Sequence, residues 1–306
     1  MSSLPASPGV PDSPRATDQG PLAGGPSRAL ITRNTMLVDG LARRYLRISP
    51  AGRSACRAAV LVLHGSGQSV SGFRRYSGGT FDALTARGAV VAYLEGYRHG
   101  WNDARVISGS ASRRQDIDDV AFAAAVIEDL VANAQVDSAR VFVAGFSAGG
   151  YLAIRLIHEI PELISGVGLL SATQAHMGNF RVKQDREVPM AVTLFHGTRD
   201  YFVPYLGERP RQRLVSPRGG MLSAPATARY FARRNGILVP PLDHIVSPGL
   251  TETVYEEHSK PVVRLLTVHG AGHTIPGASG WPIAGTSTRT IVAAQTFADD
   301  WKLAAS

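Results

Sequence analysis

Hydrophobic and polar positions along the chain alternate between short apolar runs and longer stretches with helical periodicity. Three continuous apolar runs, at residues 58–63, 90–94 and 141–144, predict strands that are buried on both faces of a parallel sheet. Further candidate strands lie at 167–170, 191–195 and 262–268. Two further strands, at 35–38 and 44–48, are expected to pair across a turn at Asp39-Gly40.

Apolar residues at three- and four-residue steps predict helices, at residues 117–134, 148–160, 225–235 and 288–303. Asp116, Asp118 and Asp119 stand at the start of the first helix, where carboxylates suit the helix dipole and need no catalytic role. Strands that alternate with helices predict the α/β class. We expect one domain over 31–306, with a mostly parallel central sheet and helices on both of its faces.

Two segments stand apart from this pattern. The first 30 residues are rich in Pro, Gly and Ser and are expected to form a disordered leader. That leader lacks the apolar core of a secretory signal, and a true start near Met36 is the alternative. The segment 201–261 is long for a connection and contains one predicted helix, so we expect it to form a lid or a pocket wall.

Composition excludes several classes of protein. The 306 residues are 44% hydrophobic and 18% charged, which excludes a coiled coil, a disulfide miniprotein and a wholly disordered chain. Cys56 is the single cysteine, so no intrachain disulfide can form. No apolar run approaches the ~20 residues of a membrane span.

The formal net charge of +8 comes from basic residues that are scattered along the chain. There is no long basic block and no interleaved aromatic ladder, so we expect no nucleic-acid partner. At most, Arg209, Arg211 and Arg213 hint at a basic pocket rim.

Ser147 is the strongest candidate for a catalytic residue, within Gly-Phe-Ser-Ala-Gly-Gly at residues 145–150. The motif lies between a predicted strand and a predicted helix, which is the setting of a nucleophile elbow. Gly145 and Gly149 are expected to be small because side chains would collide across the turn. A glycine-rich loop that binds phosphate at a helix N-terminus is the alternative interpretation.

A serine hydroxyl needs a base to accept its proton and an acid to orient that base. In this architecture they follow in the order Ser, acid, His. His273 is favoured as the base because it lies in a glycine-rich loop after strand 262–268, and His269 is the alternative. Asp200 is favoured as the acid because it closely follows strand 191–195, and Asp243 is the reserve candidate.

Acyl transfer also needs hydrogen-bond donors for the oxyanion that develops on the substrate carbonyl. The backbone N–H of Ala148, the residue after the nucleophile, is one candidate. The second is the N–H of Ser66, within His-Gly-Ser-Gly-Gln at residues 64–68, where the glycines let the backbone turn its amides inward. His64 itself is expected to be structural.

These motifs together resemble the polyhydroxybutyrate depolymerase-like esterases, an α/β-hydrolase group that includes feruloyl and acetyl xylan esterases of carbohydrate esterase family 1. The resemblance covers residues 35–303. It rests on the motifs at 64–68 and 145–150, on Trp-Asn-Asp at 101–103, on 196–200 with Val-Pro-Tyr at 203–205, and on Gly-His-Thr-x-Pro-Gly at 272–277.

The resemblance implies Ser147, Asp200 and His273 as the catalytic residues and the N–H groups of Ser66 and Ala148 as oxyanion donors. It also implies that Trp101 and Asn102 line the acyl pocket. The chain departs from the group at three positions, because relatives often carry Cys where it has Ser66 or Ile237, and Trp where it has Ile275. Polymer or feruloyl specificity is therefore not carried over.

The sequence thus predicts a serine carboxylic-ester hydrolase that works through an acyl-enzyme, without metal or organic cofactor, on a small or oligomeric ester. An acyltransferase or peptidase on the same triad, or a catalytically silent binding module, are the alternatives. The missing signal and the lone cysteine favour a cytoplasmic location, whereas the resembled group is often exported.

Overall fold

A ten-stranded sheet forms the centre of the protein in a computed structural model that describes residues 29–50, 57–208, 220–278 and 282–304. The strands are β1 (Leu30–Val38), β2 (Leu41–Ser49), β3 (Arg57–Leu63), β4 (Val90–Leu94), β5 (Val136–Phe146), β6 (Gly166–Leu170), β7 (Ala191–Gly197), β8 (Leu242–Ser247), β9 (Leu250–Tyr255) and β10 (Val263–Val268). Cys56, the three arginines of the expected basic rim and residues 1–28 of the expected leader lie outside the described residues.

The strands lie side by side in the order β1-β2-β4-β3-β5-β6-β7-β10-β9-β8. The strands from β4 to β10 in this order are paired parallel to one another, and antiparallel pairs extend the sheet at both edges. The mostly parallel sheet predicted from the apolar runs is confirmed. Parallel strands place all their carboxyl ends at one edge, where α/β proteins bind their ligands.

Helices cover both faces of the sheet. They are α1 (Val70–Tyr76), α2 (Ala111–Arg114), α3 (Asp119–Asn133), α4 (Ala148–Glu159), α5 (Ala224–Arg234) and α6 (Ala293–Asp300), with 3₁₀ helices at Asp82–Arg87, Tyr97–His99, Pro161–Leu163, Met177–Asn179 and Pro282–Ala284. Helices α3, α4 and α5 share one buried cluster with one face of the sheet, and α1 and α6 share another with the opposite face. Within β3, Leu61 belongs to the first cluster and Val60 to the second, which explains why the strand is apolar throughout.

The N-terminal hairpin turns where the sequence predicts, but its strands are longer than expected. Asp39 and Gly40 have φ of +50° and +75°, and Val38 pairs with Leu41 across them. Two consecutive residues in the left-handed region match the right-handed twist of a hairpin, which explains the Asp-Gly pair.

The segment 201–261 contains two strands that the sequence analysis missed. Besides α5, it forms the hairpin β8–β9, which pairs antiparallel with β10 at the edge of the sheet. Every side chain of β8 is exposed except the half-buried Ser247, so no buried apolar run marks the strand. The edge strand β8 is therefore held by its backbone pairing with β9 and not by the burial of apolar side chains.

Two predicted helices begin later than the periodicity indicates. The first begins at Asp119 because Asp118 caps it by accepting the N–H of Ala121 at 2.9 Å. The last begins at Ala293 instead of residue 288, and the Thr288 hydroxyl accepts the N–H of Thr290 at 3.2 Å. Such local side-chain bonds compete with helix formation. None of the helices in the described ranges has the length and apolar character needed to cross a bilayer.

Candidate active site

Ser147 lies in the tight turn between the end of β5 and the start of α4. Its φ of +53° and ψ of −116° are a strained backbone conformation for a residue other than glycine. The turn is held because the Ser147 N–H donates to the Leu170 carbonyl at 2.9 Å and the Ser147 carbonyl accepts the N–H of Tyr151 at 3.1 Å. The side chain is half-buried and borders a cavity at the carboxyl edge of the sheet.

The glycines around Ser147 allow the backbone segments to approach one another closely. A Cβ at Gly149 would lie 2.2 Å from the carbonyl oxygen of Leu63, and one at Gly145 would lie 2.4 Å from the carbonyl oxygen of Gly149. Neither distance can be accommodated without moving backbone. The expectation that these positions must be small is confirmed.

His273 is fixed in the loop that follows β10. Its N–H donates to the Ala284 carbonyl at 2.7 Å, and its carbonyl accepts the hydroxyl of Tyr76 at 2.9 Å. The imidazole packs between the rings of Phe146 and Phe202, with centroid distances of 4.9 Å and 5.3 Å. Burial, together with the charge of Asp200, raises the pKa of Tyr76 to about 12, so its hydroxyl remains a donor.

Asp200 is buried behind His273, in the loop that follows β7. Its Oδ2 lies 2.7 Å from Nδ1 of His273, while its Oδ1 accepts the N–H groups of Phe202 and Val203 at 2.9 Å and 2.7 Å. The carboxylate is therefore oriented by its own loop as well as by the imidazole. This arrangement leaves Nε2 as the ring nitrogen of His273 that is free of Asp200.

His196 lies beneath this pair, a position that the sequence analysis did not assign to the site. Its Nε2 is 2.8 Å from the Val203 carbonyl and 3.6 Å from Oδ2 of Asp200. Complete burial lowers the pKa of His196, which favours a neutral ring whose Nε2–H donates to that carbonyl. Its spacing from Asp200, four residues, was the only sequence signal for this contact.

The cavity has a volume of about 420 Å³, within the range of small-molecule sites. Ser147 and His273 both line it. The lining also includes Ser66, Ala148 and a mainly apolar remainder, together with Arg105 and Tyr151, which the sequence analysis did not single out. Phe146, Phe202, Val203 and Ile283 supply apolar surface.

The turn at residues 64–68 presents one backbone amide to this cavity. The N–H of Gly65 donates to Oε1 of Gln68 at 2.9 Å, and the N–H of Gly67 donates to the His99 carbonyl at 2.8 Å. The N–H of Ser66 has no acceptor within the described ranges, and the same holds for Ala148 at the first position of α4. Both residues line the cavity.

His64 is buried next to this turn, and both of its ring nitrogens contact backbone groups. Its Nδ1 lies 2.8 Å from the Gly65 carbonyl, and its Nε2 accepts the N–H of Gly96 at 2.9 Å. Burial lowers the pKa of His64. A neutral ring with the proton on Nδ1 satisfies both hydrogen bonds.

The resemblance assigns Trp101 and Asn102 to the acyl pocket. Neither is among the described residues that line the cavity beside Ser147. Both are buried: the indole N–H of Trp101 donates to the His64 carbonyl at 2.8 Å, and Nδ2 of Asn102 donates to the Ile117 carbonyl at 2.9 Å. Trp101 instead lines an adjoining cavity, which shares Ser66 and Ala148 with the cavity beside Ser147.

The alternative acid and base are found elsewhere. Asp243 is exposed on β8 and accepts the hydroxyl of Thr253 at 2.6 Å, and His269 contacts the hydroxyl of Thr251 at 3.0 Å. The two border a separate cavity that does not include Ser147. Across the residues that the structure describes, no group of three or more His, Cys, Asp or Glu side chains is placed to hold a metal ion.

Comparison with known proteins identifies the family to which the chain belongs. The phospholipase/carboxylesterase family matches residues 48–216. The chain is 32% identical over 291 residues to "Putative esterase NocK" of Nocardia uniformis subsp. tsuyamanensis, a match that covers 89% of this chain and 82% of that protein. It is 27% identical over 244 residues to "Feruloyl esterase B" of Piromyces equi, over 78% of this chain and 44% of that protein.

A solved structure, the acetyl xylan esterase from Aspergillus awamori, shares the fold with a TM-score of 0.59 at 14% identity, over 89% of this chain and 100% of that chain. The sheet order, the helices on both faces and these matches establish the α/β-hydrolase fold. The chain is an ester hydrolase, and it belongs to the phospholipase/carboxylesterase family.

Proposed function

We propose that the protein is a serine carboxylesterase that works through an acyl-enzyme. Ser147 is the nucleophile, His273 the general base and acid, and Asp200 the residue that orients the imidazole. The observation that carries the proposal is that Ser147 and His273 line one cavity while Asp200 binds the far nitrogen of the imidazole at 2.7 Å.

The hydrogen bond to Asp200 keeps the proton of a neutral His273 on Nδ1. The lone pair of Nε2 then accepts the Ser147 proton as Oγ attacks the ester carbonyl. His273 returns that proton to the departing alcohol, and the acyl group stays on Ser147. A water molecule deprotonated by His273 attacks the acyl-enzyme, which releases the carboxylic acid and restores the serine.

The N–H groups of Ser66 and Ala148 stabilise the negative charge on the carbonyl oxygen during both attacks. Fixed backbone donors of this kind are worth about 3 kcal/mol each in acyl transfer. The bonds that Gly65 and Gly67 make keep the turn in the conformation that exposes the Ser66 amide.

The apolar part of the cavity supports a hydrophobic acyl or alcohol group on the substrate. Phe146, Phe202, Val203 and Ile283 would contact such a group. The names of the feruloyl esterase and acetyl xylan esterase relatives make aromatic and acetyl esters the first to test. Hydrolysis rates on nitrophenyl esters of increasing acyl length, on a feruloyl ester and on an oligomeric hydroxybutyrate would rank these classes of substrate.

The decisive experiment compares Ser147→Ala with wild type on nitrophenyl esters. We expect kcat/KM to fall by at least about 10³-fold and labelling by a fluorophosphonate probe to disappear. Ser71→Ala, at an exposed serine on α1, is the matched control and should keep full activity. Unchanged activity of Ser147→Ala would overturn the assignment, and ester or amide products formed with an added alcohol or amine would indicate acyl transfer.

A further inference from the structure

A second cavity, of about 430 Å³, adjoins the catalytic cavity. The two share four lining residues: Ser66, Gly67, Arg105 and Ala148. The amides assigned as oxyanion donors therefore lie at the boundary between the two spaces. A substrate whose ester carbonyl binds at these amides can extend into both cavities.

The second cavity is strongly basic. Arg98, Arg105 and Arg114 line it, and Asp103 is the one acidic residue of its described lining. The Asp103 side chain is 1% exposed, and both of its oxygens bind Arg105, at 3.0 Å to Nε and 2.7 Å to Nη2. Its charge is therefore already neutralised by Arg105, and Arg98 and Arg114 leave the space with a net positive charge.

The remaining titratable group of the lining does not reverse this balance. His99 is half exposed, and its Nδ1 lies 3.4 Å from Oε1 of Glu95. Glu95 does not itself line the cavity, and its other oxygen accepts the N–H of Val70 at 3.0 Å. Glu95 therefore adds no carboxylate to the described lining of the cavity.

Arg105 joins the two cavities physically. Its guanidinium stacks over the ring of Tyr151, with the central carbon 4.0 Å from the ring centroid, and borders the same cavity as Ser147. Nε and Nη2 are held by Asp103, whereas Nη1 makes no hydrogen bond to the described residues. A rigidly held guanidinium with one unused nitrogen is well placed to bind an anionic oxygen.

The segment that carries Arg98 is bonded to the turn at residues 64–68 and has a strained backbone. Arg98 and His99 have φ of +48° and +62°, in the left-handed region that residues other than glycine rarely adopt. The carbonyl of His99 accepts the N–H of Gly67 at 2.8 Å. Strain of this kind persists where surrounding contacts enforce it and is concentrated at functional sites.

We propose that the second cavity binds an anionic group of the substrate, so that the preferred ester carries a carboxylate near its reacting carbonyl. The inference rests on the proposed function, because it assigns a substrate class to the same site. The apolar portion of the ester lies against Phe146 and Phe202, and the carboxylate binds Arg105 and Arg114. A neutral ester of equal length lacks the second contact and should bind more weakly.

The test uses two matched pairs of esters. The first pair is the mono-4-nitrophenyl ester of glutaric acid, which carries a carboxylate on its acyl side, and 4-nitrophenyl valerate, its neutral counterpart. The pair 4-acetoxybenzoate and phenyl acetate places it on the alcohol side. We expect wild type to prefer the charged member of one pair by about tenfold in kcat/KM, mainly through KM.

Arg114→Gln should abolish that preference while leaving kcat/KM for the neutral ester unchanged, which also shows that the variant folds. Arg98→Gln is the second variant, with the same expectation. Arg33→Gln is the matched control, because it removes one positive charge from an exposed position on β1 that borders neither cavity. The control should retain the wild-type preference.

Two results would overturn the inference: no preference for either charged ester, or the same loss of preference in Arg33→Gln as in Arg114→Gln. Failure of the proposed function is separate, since it requires Ser147→Ala to hydrolyse all four esters at the wild-type rate. An enzyme that depends on Ser147 but treats charged and neutral esters alike would contradict only the assignment of the second cavity.

Discussion

Nδ1 of His273 lies 2.7 Å from Oδ2 of Asp200, although 73 residues separate them along the chain. The other carboxylate oxygen of Asp200 accepts two backbone N–H groups from Phe202 and Val203. The acid therefore cannot rotate away from the imidazole without breaking its own loop. The contact joins the loop after β7 to the loop after β10. The strands β7 and β10 are parallel neighbours in the sheet.

Replacing Asp200 with Asn should separate its structural role from its proposed catalytic role. The amide oxygen can still accept the two backbone N–H groups, but the NH₂ group would donate to Nδ1 of His273. The imidazole proton then moves to Nε2, which can no longer accept the proton of Ser147. We expect kcat on a nitrophenyl ester to fall by about 10⁴-fold with a small change in the free energy of unfolding.

The control for this variant is Asp243→Asn, at an exposed carboxylate on β8. It should keep wild-type kcat. If Asp200→Asn stays within tenfold of wild type while Asp243→Asn loses activity, the acid has been assigned to the wrong residue.

Gly149→Ala should destabilise the fold as well as reduce activity. The added Cβ would lie 2.2 Å from the Leu63 carbonyl oxygen, so β3 and α4 must separate. We expect a loss of about 3 kcal/mol or more in the free energy of unfolding, measured by urea denaturation. Gly178→Ala is the matched control, because no atom lies within 4 Å of a Cβ there and its φ is not positive. A loss of equal size in both variants would show that close packing at the elbow is not the cause.

Removing the carboxylate of Asp119 should destabilise the loops behind the site. Asp119 is fully buried and accepts hydrogen bonds from Arg43, Ser112 and the N–H of Asn102, each at 2.6 Å. Asp119→Ala would leave the guanidinium of Arg43 buried without its partner, which costs about 3–5 kcal/mol. Glu128→Ala, at an exposed acid of the same helix, should change the free energy of unfolding by less than about 0.5 kcal/mol. Similar values for the two variants in urea denaturation would contradict this role.

The stability of the protein should fall as the pH drops below about 6.5, in part because of His158. This ring is fully buried, with Nδ1 bound to the Ile154 carbonyl and Nε2 bound to the Tyr230 hydroxyl, each at 2.7 Å. Burial lowers its pKa from 6.5 to about 4. The unfolded chain therefore binds a proton between these pH values while the folded chain does not, which costs about 1.4 kcal/mol per pH unit.

His158→Gln removes this titration while keeping a donor and an acceptor in the side chain. In urea denaturation between pH 7.5 and pH 4.5, we expect its stability to depend less steeply on pH than that of wild type. His64 and His196, whose pKa values are also lowered by burial, should maintain the remaining slope. His244→Gln, at an exposed position, should show the wild-type slope, and a wild-type slope in His158→Gln as well would refute the assignment.

The features that depend on residues close together in the sequence could be predicted from the sequence alone. Continuous apolar runs indicated β3, β4 and the last part of β5, because a strand buried on both faces has no polar side. The Asp39-Gly40 turn and the glycines around Ser147 follow from local backbone geometry. The triad of an α/β-hydrolase follows the chain order Ser, acid, His. This order, together with the positions of the predicted strands, named Ser147, Asp200 and His273 as the proposed triad.

Only the tertiary structure decided the contacts between segments that are distant in the sequence, because no local sequence pattern marks them. The hairpin β8–β9 has no buried run to reveal it, and Asp119, interpreted from sequence as a helix-start acid, proves to be the buried partner of Arg43. The side chains of Trp101 and Asn102 donate to the backbone carbonyls of His64 and Ile117, contacts that no local pattern reveals. The basic second cavity combines Ser66, Arg98 and Arg114 from three separate segments of the chain. Charge counts along the chain could not locate that cavity, because a binding site depends on which side chains face one space and on which charges are already paired.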